Sequence, residues 1–304
     1  GHLDSGGLFM TLAGDVTAVA NSNAVAIIDG RFTLGGSGLF DVQGYYFSPD
    51  LQVRAQILGA VDRPFMKAGL GELLLTHTND SYAGLTLVQQ GTLWLSRGIP
   101  GDATSGTVVS NGATLAISQG THVMDEVLTL AGGGAGNKLA QLLSFSGTNF
   151  WSGPITLSGQ GAIRVESASD RLILHGAIGG LGLTKTGLGT LELSGDVPNT
   201  YGNNTTVRQG VLVLNKVPGA VAIPGPLSIG DLGTNAAVVR LASANQIHDL
   251  AAVTINSPGL LDLANYAETI GSLAGVGNVN LGFASLTAGG DNNDTTFGGA
   301  MTGV

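Results

Sequence analysis

The side chains of this chain that could do acid–base chemistry are carboxylates, and few of them are spaced to act together. A polysaccharide hydrolase or lyase needs two carboxyl groups that flank one bond. Asp125 and Glu126 are adjacent, so on a strand they point to opposite faces. Glu166 and Asp170 are four residues apart and could share a face, but the segment from Ser167 to Ser169 predicts a corner between them. Exposed carboxylates on an acidic chain are the favoured interpretation, and a cleft enzyme is the alternative.

A second group that could do chemistry is the serine of Asp4-Ser5-Gly6-Gly7, which resembles the sequence around the nucleophile of some serine proteases. A nucleophilic serine needs a histidine base and an orienting carboxylate, and in those proteases both lie well upstream. Only Gly1, His2 and Leu3 precede the motif here. A glycine-rich turn is therefore favoured, and no catalytic residue is predicted.

Metal ligands are equally sparse. The five histidines never stand two or four residues apart, whereas zinc needs three or four convergent ligands. The segment Asp291-Asn292-Asn293-Asp294 offers oxygen atoms but lacks the glycine and glutamate spacing of a calcium loop. The chain has no cysteine, which excludes thiolate sites and disulfides. We predict neither a metal nor a cofactor, and we interpret the asparagine-rich segment as a turn.

Candidate binding residues come from two aromatic clusters, Tyr45-Tyr46-Phe47 and Phe150-Trp151. Adjacent residues on a strand point to opposite faces, so one aromatic of each cluster is predicted to face outward or to lie in a loop. Exposed aromatics are frequent contact anchors for proteins and sugars. Tyr45, Tyr46, Phe150 and Trp151 are therefore the candidates, although core packing or end-capping is the favoured role for them.

Composition narrows the classes of partner. Twelve basic residues against 21 acidic ones give a net charge of −9, and the basic residues are scattered singly, so nucleic acid is not an expected partner. No apolar run approaches the roughly 20 residues that span a bilayer, so this segment is not expected to cross a membrane. The first residues do not form a secretion signal, and if the protein is exported we expect the signal upstream.

The elements that position these residues are organised by an internal repeat. A lysine- and glycine-led segment at 67–75 recurs at 185–193, an offset of 118 (185 − 67), and the glycine that closes each unit recurs at an offset of 119 (210 − 91). Such a repeat implies stacked units rather than one globular core. The repeated positions are Lys67, Gly69, Gly71 and Gly91 in the first copy and Lys185, Gly187, Gly189 and Gly210 in the second.

Within each copy the apolar side chains alternate as they do in a strand. Leu191 and Leu193 are two residues apart, as are Val211 and Val213, and this period puts branched side chains on one face of a strand. Fifty glycines punctuate short runs, and no helix of ten residues can be drawn. All-β structure is therefore predicted. For Lys67 and Lys185 we expect an apolar stem along the edge of a coil with the ammonium in water.

The segment from Leu183 to Gly195, continued by Tyr201 and by Thr205 to Leu212, resembles the autotransporter-associated β-strand repeat. The resemblance is specific over 66–95 and over about 170–304. It implies a right-handed parallel β-helix in the passenger of a Gram-negative type V secretion protein, on the cell surface or outside the cell. We do not expect the family's anchoring β-barrel within this chain. The repeat identifies a scaffold and carries no catalytic residue.

The domain prediction is a single β-helix over 1–304. Its parts are less regular coils over 1–65, a first long repeat over 66–182, and a second over 183–304 that continues beyond the chain. The preferred function is non-enzymatic: adhesion, self-association or biofilm formation through a host or neighbouring-cell surface protein or glycan. The alternatives are a β-helical polysaccharide-degrading enzyme and the stalk of a passenger whose active domain lies outside this chain. A cleft enzyme should bring three or more charged side chains together in one groove.

Overall fold

A computed structural model describes residues 1–19, 24–44, 48–59, 63–78, 80–97, 105–133, 140–231 and 233–304. Over these residues the chain forms strands, turns and loops without an α-helix, and its paired strands run parallel in a β-solenoid. The prediction of an all-β parallel solenoid is confirmed. Over the same residues, no helix has the length and apolar character to cross a membrane. Two compact units are present, residues 1–156 and 157–304.

The strands of the first unit are short, as expected where glycine and asparagine bend the chain every few residues. They are β1 (His2–Leu12), β2 (Val16–Val19), β3 (Ala26–Leu34), β4 (Leu39–Gln43), β5 (Leu51–Val53), β6 (Gln56–Leu58), β7 (Phe65–Ala68), β8 (Glu72–Leu75), β9 (Thr86–Val88), β10 (Gly91–Ser96), β11 (Thr107–Val109), β12 (Ala113–Ser118), β13 (His122–Val123), β14 (Leu128–Leu130), β15 (Leu142–Phe145) and β16 (Thr148–Trp151).

The strands of the second unit follow the same plan, and the first of them begins two residues before the division. They are β17 (Ile155–Val165), β18 (Arg171–Leu174), β19 (Ile178–Thr186), β20 (Thr190–Gly195), β21 (Thr205–Val207), β22 (Gly210–Lys216), β23 (Leu227–Ile229), β24 (Ala237–Leu241), β25 (Ala252–Ile255), β26 (Gly259–Asp262), β27 (Glu268–Thr269), β28 (Ser272–Gly275), β29 (Asn278–Gly282), β30 (Leu286–Thr287) and β31 (Met301–Gly303).

In the first unit the strands form two parallel columns, because each turn of the chain pairs with the turn before it. One column runs β3, β5, β8, β10, β12 and β15, and the other runs β4, β7, β9, β11 and β14. In-register leucines from four successive strands are fully buried in the first column, at Leu73, Leu93, Leu115 and Leu142. Stacking of identical inward positions therefore makes the core.

The second unit repeats this arrangement with its own columns. One column runs β18, β20, β22, β24, β26 and β29, and the other runs β19, β21, β23, β25 and β28. The inward positions Leu191, Leu212, Val239, Leu261 and Val279 are in register and fully buried. Burial of such side chains stabilises a fold by about 1.5–3 kcal/mol each, so these apolar ladders account for much of the stability of each unit.

Candidate functional site

The polar centre of the first repeat is the buried side chain of Lys67, at the end of β7. Its Nζ atom donates hydrogen bonds to the carbonyl oxygens of Ala68 at 2.7 Å, Gly69 at 2.7 Å and Gln90 at 3.1 Å. An ammonium has three N–H donors, so these three carbonyls use all of them. Gln90 belongs to the turn before β10, and the lysine therefore ties two successive turns of the chain together.

The second repeat contains the same arrangement around Lys185, near the end of β19. Its Nζ atom donates to the carbonyl oxygens of Thr186 at 3.0 Å, Gly187 at 2.6 Å and Gln209 at 2.9 Å. Lys185 is fully buried, as is Lys67. We call each of these two arrangements a lysine corner, defined by the lysine and its three carbonyl acceptors. The prediction that the ammonium reaches water is wrong, because the glycine-rich turn folds its own carbonyls around Nζ.

A glycine at the end of each repeat allows the corner to close. Gly91 and Gly210 have φ angles of +64° and +66°, a backbone conformation that residues with a Cβ rarely adopt. A Cβ atom on Gly91 would lie 2.5 Å from the carbonyl oxygens of both Gly69 and Gly71. Since real Cβ atoms do not approach backbone oxygens so closely, only glycine fits here.

Each repeat also contains a buried tyrosine, which lies in the loop that precedes β9 in the first copy and β21 in the second. The hydroxyl of Tyr82 and the Oγ1 atom of Thr86 are hydrogen-bonded at 2.8 Å, and Tyr201 and Thr205 form the same bond at the same distance. Burial raises the pKa of both tyrosines. A buried tyrosine hydroxyl needs a hydrogen-bond partner, and the threonine four residues later supplies it in each copy.

The electrostatic surroundings of the two lysines differ. Burial lowers the pKa of Lys67 to about 8, against an opposing attraction from the carboxylates of Asp41, Asp50 and Glu72. Burial lowers the pKa of Lys185 to about 7, and the positive charge of Arg164 lowers it further. An amine with such a pKa can act as a base or nucleophile when a substrate reaches it. Here Nζ is enclosed and its donors are occupied, so the geometry supports a structural role.

A third buried lysine, Lys216 at the end of β22, follows the same principle with different partners. Its Nζ atom donates to the carbonyl oxygens of Ser194 at 2.8 Å and Val197 at 2.7 Å. Burial lowers its pKa to about 8, while Asp196 opposes the shift. The sequence alone does not indicate a corner at Lys216, because its flanking residues lack the glycine pattern of the two repeats.

The carboxylates weighed as an acid–base pair each serve a local contact. Glu166 accepts hydrogen bonds from Nε and an Nη of Arg164 at 2.6 and 2.8 Å, and Asp170 is buried and accepts from the backbone of Ser167 at 3.1 Å. Asp125 is exposed and Glu126 is buried, and both lie in the connection between β13 and β14 rather than on a strand. These contacts hold turns in place and do not present two carboxyl groups to one bond.

The serine side chain of the protease-like motif is also hydrogen-bonded to the backbone. Ser5 Oγ accepts a hydrogen bond from the amide of Arg31 at 3.0 Å, and Asp4 Oδ1 accepts one from the amide of Gly6 at 2.9 Å. Gly6 and Gly7 both have positive φ angles. The motif therefore lies within β1, at an irregularity in the pairing of β1 with β3, and the interpretation as a separate turn is wrong.

No group of three or more acidic, histidine or cysteine side chains suited to a metal ion occurs among the residues that the structure describes. At the oxygen-rich segment 291–294, Asp291 accepts hydrogen bonds from Ser272 Oγ at 2.7 Å and from the amide and side chain of Asn293. Its oxygens therefore stabilise a turn, in agreement with the interpretation from sequence.

The aromatic candidates are placed differently from one another. Tyr45, Tyr46 and Phe47 lie outside the described residues. Trp151 is fully buried, and its indole N–H donates to the carbonyl oxygen of Glu126 at 2.8 Å. Phe150 is half-buried and stacks on the ring of His122, with centroids 4.8 Å apart. Of this pair, only Phe150 can contact a partner without opening the core.

The fold brings together an aromatic pair that the sequence pattern does not indicate. Trp94 of β10 and Phe145 of β15 have ring centroids 5.0 Å apart, and both are half-buried. The indole N–H of Trp94 donates to Ser118 Oγ at 2.7 Å. In register beside Trp94, on the opposite face from the leucine ladder, lie Leu74 and Ala116. We call this group of five residues the Trp94 face. Its two rings are 51 residues apart in sequence (145 − 94), so no local pattern reveals them.

Both lysine-led repeats of this chain have counterparts in known proteins. A sequence profile described as the passenger-associated-transport-repeat matches residues 66–95 and 183–214, which are the two lysine-led repeats. The "Adhesin BmaC autotransporter" of Brucella suis biovar 1 (strain 1330) is 31% identical over 304 residues, covering 98% of this chain. The chain therefore carries two repeats of the kind found in autotransporter passengers and is similar to an autotransporter over nearly its whole length. The resemblance predicted from sequence is confirmed.

This passenger segment spans 7% of the length of the adhesin from Brucella suis. No solved structure matches it. Kinship with an autotransporter passenger implies a cell-surface or extracellular location in a Gram-negative bacterium.

Proposed function

We propose that this passenger segment is a non-enzymatic scaffold that presents contact surfaces for adhesion to a host or neighbouring cell. The observation that carries the proposal is the 31% identity to a protein named as an adhesin, sustained over 98% of this chain. Export by type V secretion follows from the same kinship. Solenoids of stacked turns offer extended faces for contact, which is the geometry that adhesion to a large surface requires.

The polar side chains that could do chemistry are buried or already hydrogen-bonded, and this favours a scaffold over a polysaccharide-degrading enzyme. Lys67 and Lys185 are enclosed by carbonyls, Glu166 is paired with Arg164, and Asp170 is buried. A glycosidase needs two carboxyl groups about 5–10 Å apart and open to the sugar. None of the pairs weighed from sequence has that arrangement, so no particular observation favours the enzyme.

For the contact surface we propose half-buried aromatic side chains of the first unit. The Trp94 face offers the half-buried rings of Trp94 and Phe145, beside the buried side chains of Leu74 and Ala116, and Phe150 offers a ring backed by His122. Aromatic side chains contribute large contact areas to both protein and sugar recognition. The expected partner is a surface protein or glycan.

The test uses the 304-residue chain displayed on beads, with binding measured to epithelial monolayers and to bacterial cells of the same species. Trp94→Ser and Phe150→Ser remove the proposed contacts, and Leu188→Ser, at a side chain that is 51% exposed in the second unit, is the matched control. We expect each aromatic variant to reduce binding at least about threefold and the control to leave it unchanged.

Two results would count against the proposal. If the wild-type chain binds neither epithelial nor bacterial cells, adhesion by this segment is wrong and its role is that of a stalk. If it binds and both aromatic variants bind equally well, the contact surface is elsewhere. If the chain binds bacterial cells alone and the free chain sediments as a multimer, its function is self-association and biofilm formation rather than attachment to a host.

A further inference from the structure

The loop before each buried tyrosine is fastened to an earlier strand by a pair of hydrogen bonds. In the first repeat, the Ile57 amide donates to Asp80 Oδ1 at 2.9 Å, and the Ser81 amide donates to the Ile57 carbonyl oxygen at 2.9 Å. We call this arrangement the Asp80 clasp. Ile57 is fully buried in β6, so the clasp anchors the loop to the core.

The second repeat has the same clasp with one chemical difference. The Ile178 amide donates to Asn199 Oδ1 at 2.9 Å, and the Thr200 amide donates to the Ile178 carbonyl oxygen at 2.8 Å. Asn199 stands 119 residues after Asp80 (199 − 80), the offset of the closing glycines. Its side-chain Nδ2 also donates to the carbonyl oxygen of Ala222 at 2.8 Å. Both the oxygen and the nitrogen of the Asn199 side-chain amide therefore have hydrogen-bond partners.

The two oxygens of the Asp80 carboxyl group differ, because only Oδ1 accepts a hydrogen bond from a described residue. Oδ2 is buried and has no hydrogen-bond partner among the residues that the structure describes, and the side chain is 1% exposed. An ionised carboxylate in such a place is costly, because neither water nor a donor stabilises the second oxygen. A neutral carboxyl avoids most of that cost and can still accept the bond from the amide of Ile57.

The ionisable groups around Asp80 do not offset its burial. His77 Nδ1 lies 3.6 Å from Asp80 Oδ1, but burial and the charge of Arg31 lower the pKa of His77, so the imidazole is neutral at pH 7. Tyr82 faces Asp80 as a neutral phenol. Burial raises the pKa of Asp80 to about 7, against an opposing hydrogen bond from the amide of Ile57.

We propose that the Asp80 clasp is a pH-responsive fastening that is tight when the carboxyl is protonated and loosens when it ionises, whereas the Asn199 clasp does not respond. The direction follows from linkage. A carboxyl whose pKa is raised in the folded state stabilises that state fully below its unfolded value of 3.8 and loses the contribution as pH rises through about 7. The first repeat thus opens locally in a pH range that leaves the second closed.

The test is amide hydrogen exchange on the full chain between pH 5 and pH 8, expressed as protection factors. The protection factors of Ile57 and Ser81 are expected to fall roughly tenfold per pH unit between about pH 5 and 7 and then to level. Those of Ile178 and Thr200 should stay constant. Asp80→Asn should remove the pH dependence from the first clasp, and Asn199→Asp should install it in the second.

Constant protection of Ile57 and Ser81 in the wild-type chain would overturn the proposal, as would a fall that D80N retains. If D80N does not fold, the pKa of Asp80 is measured in the wild-type chain by nuclear magnetic resonance. The chemical shift of its side-chain carboxyl carbon is followed as the pH is changed. A midpoint near 7 supports the proposal, and a midpoint below about 5 overturns it.

Discussion

In the repeat at 66–95, the buried Lys67 lies near the carboxylates of Asp41, Asp50 and Glu72, whereas in the repeat at 183–214 the buried Lys185 lies near the guanidinium of Arg164. Both ammonium groups nevertheless donate to three carbonyl oxygens at 2.6–3.1 Å. The corner therefore depends on backbone acceptors rather than on an ion pair. The charges around each corner determine the free-energy cost of burying its lysine.

The largest expected effect tests what the two repeats share. Gly91→Ala and Gly210→Ala each place a Cβ within 2.5–2.6 Å of two carbonyl oxygens at a positive φ angle. Each should lower the free energy of unfolding by about 2–4 kcal/mol, measured by urea denaturation. Gly202→Ala, where nothing lies within 4 Å of the added Cβ, is the control. If only one of the two variants lost stability, the two lysine corners would not be equivalent.

The next effect separates the two lysines. Lys67→Met and Lys185→Met keep an apolar stem but leave three carbonyl oxygens without their donor, which should cost about 2 kcal/mol of unfolding free energy at pH 7. Lys67→Met should cost about 1 kcal/mol more, since it also leaves the nearby carboxylates uncompensated. Urea denaturation of both variants measures this difference. Equal losses would show that the carboxylates around Lys67 contribute nothing to its corner.

A smaller effect appears in the pH dependence of stability. Because the folded pKa of Lys185 is about 7 and that of a free lysine is 10.5, the unfolded chain binds more protons between these values. Stability contributed by this group therefore rises with pH across pH 7–10, by at most about 1.4 kcal/mol per pH unit.

Lys185→Met should flatten that rise in denaturation experiments at pH 7, 8 and 9. Measurements stop there because Tyr82 and Tyr201, whose raised pKa values favour the protonated folded state, lose their contribution as pH rises through 10 and beyond. A variant with the same slope as the wild-type chain would mean that Lys185 keeps its ordinary pKa.

The smallest effect concerns the tips of the corners. Leu70 and Leu188 occupy equivalent positions between two glycines and are 54% and 51% exposed. Leu70→Ser and Leu188→Ser should each change the free energy of unfolding by no more than about 0.5 kcal/mol. Thermal denaturation checks both. A larger loss at one tip would reveal a contact that its counterpart lacks.

The sequence predicted the strand pattern and the repeat because both depend on local periodicity. Leu191 and Leu193 alternate with outward residues, and Gly91 and Gly210 mark turns, so residue type alone indicates strands and corners. The environment of Lys67 could not be predicted in this way, since its burial depends on how carbonyls of two turns converge. The contact of Trp94 with Phe145 requires the register of β10, β12 and β15.

One signal in the sequence was present and unused. Aligning the two repeats puts Asp80 opposite Asn199, and an acid that replaces an amide inside a repeat is a marker of altered electrostatics. The residue types alone do not show that both positions are buried, which is why the difference gains meaning only with the hydrogen bonds to Ile57 and Ile178.

The most direct test of the lysine corners is a titration of the lysine side chains by nuclear magnetic resonance. The chain has four lysines, of which Lys138 lies outside the described residues. We predict that Lys67 and Lys216 titrate near pH 8 and Lys185 near pH 7, with ammonium protons protected from exchange with water. Ordinary titration of both repeat lysines near pH 10.5, with rapidly exchanging protons, would contradict the account.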